Sequence, residues 1–263
     1  MNKILSLLFA AALALTASSC MEVDNFDEPE ARYTGKVIDV TTGEPLLVGQ
    51  GECEIRLWEM SYSLNPSPQG IPLKQDGSFS NYKLFNGTYD VEARGSWWPV
   101  EKKRVKIGRK TEEDIIEVTP YLHIIDFTMD YNDEDCTLTV SCRLEAPVTD
   151  GLPNVRLVRP FLSLNHFCSG SSCIGEYNNI KEYKAEMNTS WANIKKAEDG
   201  NSLPYTFTLP VKRGYYYFVR MGAYVDDEYH NFNYSEIKEI EIPLTPQAKP
   251  DPETPETPDT PEE

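Results

Sequence analysis

Apolar and polar positions alternate with a period of two along most of the chain between Tyr33 and Tyr234. The clearest run is Cys136 to Leu144, which sets Cys136, Leu138, Val140, Cys142 and Leu144 on one face, the signature of a half-buried strand. Cys53, Ile55 and Leu57 likewise oppose Glu54, Arg56 and Trp58. Further strands are predicted at Tyr33–Val40, around Phe79, at Tyr82–Leu84, Tyr89–Arg94, Val155–Leu164, Tyr205–Pro210 and Tyr215–Tyr224. Asp76-Gly77 and Asn86-Gly87 read as hairpin turns, because both central positions of the favoured tight turn need positive φ. Short strands punctuated this often predict an all-β chain of two antiparallel β-sandwich domains, residues 32–119 and 120–244. One stretch breaks the pattern. Ile180, Tyr183, Met187, Trp191 and Ile194 recur at steps of three and four, which predicts a short amphipathic helix within 176–197 with Trp191 on its core side.

The ends differ from the middle. Residues 1–19 hold Lys3, an apolar run from Ile4 to Leu15 and the small residues Ala17, Ser18 and Ser19, a signal peptide too short to span a bilayer. Cys20 follows where a lipoprotein signal is cut and the thiol acylated; an ordinary secretory signal cut nearby is the alternative. Residues 20–31 carry five acids and no base, an acidic tether resembling the surface-export signal of Bacteroidota lipoproteins. Residues 245–263, with six prolines and no large apolar side chain, are expected to be a disordered tail. Across 263 residues there are 42 Asp+Glu and 25 Lys+Arg, a net charge of −17. More than half of that excess lies in the two ends. Nothing in this balance supplies the surplus cations that neutralise phosphates, so nucleic acid is excluded as a partner.

Particular residues also look familiar. Gly35-Lys36-Val37, Thr42-Gly43-Glu44-Pro45-Leu46, Asp76-Gly77-Ser78-Phe79 and Asn86-Gly87-Thr88-Tyr89 resemble the carboxypeptidase regulatory-like, transthyretin-type sandwich, a non-catalytic module despite its name. Tyr215 to Tyr224 followed by Tyr234-Ser235-Glu236 resembles the end of an immunoglobulin-like or fibronectin type III domain. In order, the chain resembles two-domain Bacteroidota outer-membrane lipoproteins of uncharacterised function that occur with SusC/SusD-type glycan uptake systems. The resemblance implies anchoring in outer-membrane lipid through Cys20, exposure at the cell surface, a SusC/SusD-type transporter complex as partner, and a polysaccharide or oligosaccharide ligand.

Reactive chemistry is sparse. No His-Glu-x-x-His, Gly-x-Ser-x-Gly or phosphate-cradling glycine loop occurs, so no catalytic residue and no cofactor is assigned, and the chain is read as a non-enzyme. His123 reads as a satisfied structural side chain. Asp130 to Asp135 lacks the sixth-position glycine and twelfth-position glutamate of a calcium loop, which leaves an acidic hairpin and no metal site. Asp226-Asp227-Glu228 reads as a solvated loop. Beyond Cys20, five cysteines remain; Cys136 and Cys142 are too far apart on one strand to bond, while Cys168 and Cys173 could close a small loop.

Aromatic residues carry the functional reading. Trp97 and Trp98 follow a strand, and two adjacent indoles cannot both face one core. Flat rings stack on the C–H faces of sugars while nearby polar groups bond the hydroxyls. Trp97, Trp98, Trp58, Tyr229 and Phe232 are therefore the candidate ligand residues. The alternative is that one tryptophan caps the first sandwich and the other lies in the domain junction. A spacer or adhesin-like interaction protein is the rival function class.

Overall fold

A computed structural model describes residues 28–61 and 64–246; Cys20, the signal segment and the proline-rich tail lie outside these residues. The first domain contains β1 (Ala31–Asp39), β2 (Glu54–Glu59), β3 (Gln69–Pro72), β4 (Ser78–Leu84), β5 (Gly87–Arg94), β6 (Lys103–Ile107) and β7 (Asp114–Val118). One sheet runs β4-β1-β7 and the facing sheet β3-β2-β5-β6. Only the β1–β7 pair in this domain is parallel. Alternation sets the core: Tyr33, Val37, Ile55, Leu57, Phe79 and Val91 point between the sheets and are buried.

Neither dipeptide turn forms a hairpin. β3 and β4 belong to opposite sheets, as do β4 and β5, so Asp76-Gly77 and Asn86-Gly87 are corners where the chain crosses the sandwich. Neither Asp76, Asn86 nor Gly87 has a positive φ. Gly77 alone does, at +74°, and a Cβ there would meet the Leu46 carbonyl at 2.7 Å. The turn chemistry was therefore read correctly as a reversal, but which strands it joins is decided by layer packing.

The second domain contains β8 (His123–Asn132), β9 (Thr137–Glu145), β10 (Val155–Ser163), β11 (Ala185–Thr189), β12 (Tyr205–Pro210), β13 (Tyr216–Val225), β14 (Asn233–Tyr234) and β15 (Lys238–Glu241). Its sheets are β12-β9-β8 and β11-β10-β13-β14, with β15 also on β13, all antiparallel. Leu138, Val140, Cys142 and Leu144 are fully buried along β9. Each fully buried aliphatic side chain of that size contributes about 1.5–3 kcal/mol of transfer free energy.

Residues 176–197 do not form an amphipathic helix. Single 3-10 turns at Gly175–Tyr177, Lys181–Tyr183 and Trp191–Asn193 flank β11. The open edge of β10 offers this segment a ladder of backbone hydrogen bonds, and Asn188-Thr189-Ser190 are weak helix formers. Trp191 is buried in the core as expected, but from a 3-10 turn. Cys53, Cys136, Cys142, Cys168 and Cys173 are all free thiols.

The domains are joined by polar groups that each find a partner across the junction. Glu52 accepts the Tyr234 hydroxyl at 2.6 Å and the Ser171 amide at 2.8 Å. Asn233 donates to the Ser96 carbonyl at 2.8 Å and accepts from the Leu122 amide at 3.2 Å. His123 lies between Asp39 of the first domain (2.7 Å) and Glu145 of the second (3.0 Å), a structural role. Burial pushes the Asp39 carboxyl up, but the Thr41 hydroxyl and amide, with His123, outweigh it and hold the acid below its ordinary range. The Arg220 guanidinium spans the same junction, donating to the carbonyls of Ser235, Val48 and Cys168.

Candidate functional site

At the end of β5 the chain turns through Gly95-Ser96 and presents its two indoles in opposite directions. Trp97 packs into the first core at 2% exposure. Its ring fills the place a Cβ on Gly95 would need, at 2.2 Å, so only glycine fits there. Trp98 is half-buried and packs against the second core, with its ring 5.3 Å from Tyr121. One tryptophan thus completes the first sandwich and the other the domain junction.

Beside them a groove of about 480 Å³ opens between the domains. Both indoles line it, together with Glu92 and Arg94 from β5, and Asp227 and Tyr229 from the loop between β13 and β14. Tyr229 is 36% exposed and supplies the most accessible ring. The Arg94 guanidinium lies 5.6 Å from the Tyr229 ring centroid and 5.9 Å from that of Trp58, and its Nε donates to Glu92 at 2.6 Å. The Lys102 ammonium also lies over the Trp58 ring, 3.6 Å from its centroid. A cation over a ring face is attracted to the ring's quadrupole, which ties Arg94 and Lys102 to these aromatic faces.

Trp97, Trp98 and Tyr229 therefore meet at one groove, and Trp58 adjoins it through Arg94. Phe232 does not. It packs edge-on against Phe161 and Tyr224, in a small cluster on the outer face of β10 and β13. Of the five candidates only Tyr229 presents a substantially open ring, and Trp97 is part of the core.

Residues that the sequence did not assign to the ligand complete the site. Asp227 is half-buried rather than solvated: Oδ1 accepts the His230 amide at 2.7 Å, while Oδ2 is buried without a partner. Burial pushes its carboxyl above the ordinary value. The indole nitrogen of Trp98 is also buried without a partner. Arg94 was legible only as an outward residue of β5. Its place between two rings depends on the 135-residue separation of Arg94 and Tyr229, which no local pattern reports. Among the described residues no cluster of His, Cys, Asp and Glu is arranged to hold a metal ion.

The fold has solved relatives. A protein from Bacteroides uniformis described as a "putative carbohydrate binding protein" superposes with a TM-score of 0.66 at 18% identity, over 81% of this chain and 100% of that one. A DUF3823 family protein from the same species gives 0.66 at 22% identity, covering 82% and 100%. Another from Parabacteroides merdae gives 0.59 at 20% identity, covering 82% and 100%. At such identities the likeness speaks for fold alone. No curated protein sequence matches the chain. Residues 31–119 match the N-terminal domain of DUF3823, a protein of unknown function, and residues 122–239 match DUF3823_C, a domain of unknown function. The chain belongs to the two-domain DUF3823 family.

Proposed function

We propose that the protein is a non-catalytic, lipid-anchored surface protein that binds saccharide in the interdomain groove and serves a SusC/SusD-type uptake system. The groove carries the reading: an open Tyr229 ring beside Trp98, with Arg94, Glu92 and Asp227 spaced around it. Rings stack on sugar C–H faces, and charged and amide groups at the rim fix hydroxyls. The carbohydrate-binding description of a fold relative agrees with it. So does the amino-terminal sequence, whose Cys20 follows a signal segment and precedes an acidic tether.

Tyr229→Ala should abolish retardation of the protein in polysaccharide affinity gels and leave its melting temperature nearly unchanged, because the ring is exposed. Retardation of the wild-type protein on no polysaccharide would instead leave a rigid junction between two sandwiches, the property of a spacer. The anchor is tested separately. Cys20→Ala removes the thiol that a lipid transferase would modify, and the protein should then move from the membrane fraction to the soluble one. Its persistence in washed membranes would discredit the lipoprotein reading.

A further inference from the structure

The groove wall contains two unanswered hydrogen-bonding atoms of opposite kind. Trp98 Nε1 is a donor with no acceptor, and Asp227 Oδ2 is an acceptor with no donor. Buried polar atoms without partners are rare, and each one asks for an explanation. Both of these residues line the same groove, from different domains, next to its open aromatic ring.

We infer that the groove takes an uncharged sugar ring, one hydroxyl donating to Asp227 Oδ2 and another accepting from Trp98 Nε1, and that it rejects acidic sugars. The inference rests on the saccharide reading above and names the ligand class for that site. Its logic is a matching of donors and acceptors. A hydroxyl both donates and accepts, so two hydroxyls of one sugar answer both atoms with no charged group required.

The local charge supplies the selectivity against acidic sugars. Glu92, Asp227 and Glu228 face the groove against the single cation Arg94, and the guanidinium is already bonded to Glu92. An anionic sugar would bring a further negative charge beside two carboxylates without a free cation to receive it. The Arg94 guanidinium lies over Tyr229 and Trp58 with its Nε committed to Glu92.

Neither unpartnered atom is open to solvent, so binding requires the loop that carries both Asp227 and Tyr229, between β13 and β14, to shift. The bound state then closes two hydrogen bonds that the free protein leaves unmade.

The test uses the full chain carrying Cys20→Ala, in affinity gels containing galactomannan, xyloglucan or laminarin (neutral), or polygalacturonate or chondroitin sulfate (anionic). Retardation is expected on at least one neutral glycan and on neither anionic one. Asp227→Asn turns the unanswered acceptor into a donor, and Trp98→Phe removes the indole N–H but keeps a ring. Each should weaken neutral-glycan binding about tenfold or more, the scale of one charged or buried hydrogen bond. Melting temperatures measured alongside separate a lost contact from a lost fold. Binding of polygalacturonate or chondroitin sulfate in place of neutral glycans would overturn the ligand class and leave the saccharide groove standing. Binding of nothing would overturn both. Folded Asp227→Asn and Trp98→Phe variants that bind neutral glycan as the parent does would overturn the roles given to these two atoms.

Discussion

Arg220→Ala should lower stability by about 4 kcal/mol, the net of three contributions. The side chain is 1% exposed, and its guanidinium donates to the main-chain carbonyls of Ser235, Val48 and Cys168. Leaving three buried acceptors without donors costs roughly 1–3 kcal/mol each. The lost stem and its packing under the Tyr234 ring, 4.1 Å from the guanidinium, add about 2 kcal/mol of cavity cost. Against these stands relief from burying a charge. Burial pushes the Arg220 guanidinium down to about 10 from an ordinary 12.5, a drop equivalent to roughly 3 kcal/mol. The sum favours the arginine because its planar fork reaches carbonyls from both domains at once. Arg220→Lys should recover little, since a compact ammonium cannot span the same acceptors. Thermal unfolding should fall by roughly 10 °C in both variants, at about 2–4 °C per kcal/mol for a protein of this size. A melting temperature within 2 °C of the parent would show that water or neighbouring amides satisfy those carbonyls.

The sandwich strands were legible because their evidence is local. Period-two alternation alone places Ile55 and Leu57, and Leu138, Val140, Cys142 and Leu144, inside, and all are buried. What the pattern could not report was which strand each one pairs with. Asn86-Gly87 has the chemistry of a hairpin, yet it turns a corner between sheets, since the identity of the neighbouring strand depends on the second layer. Residues 176–197 fail for a related reason. A three-to-four spacing of apolar residues is shared by a helix and by an irregular segment that drapes over a core. The free edge of β10 decided between them. The site shows the same division. Trp97 and Trp98 were visible as a pair with two destinations, but Arg94 and Asp227 read as ordinary surface charges until the two domains met.

Trp97→Ala should cost about 3–5 kcal/mol, the range for emptying a buried tryptophan site, and Trp98→Ala distinctly less. The difference follows from where each ring goes. Trp97 is almost wholly enclosed in the first core, and its backbone bridges to Pro120 at the start of the second domain. The backbone at Gly95 lies against that ring, and glycine has no side chain to move into the space. The vacated volume would stay empty, and the cavity cost would be felt in full. Trp98 is half-buried, and its site opens on the groove, so solvent can enter when the ring is removed. Binding should rank the two differently from stability. Trp98→Ala removes both a groove wall and the unpartnered N–H, so neutral-glycan retardation should vanish from a protein that still melts near the parent. Trp97→Ala should bind normally for whatever fraction remains folded, provided the assay is run well below its reduced melting temperature. If Trp97→Ala instead kept its melting temperature and lost binding, the ring would have to be a ligand platform, and its place in the first core would be wrong.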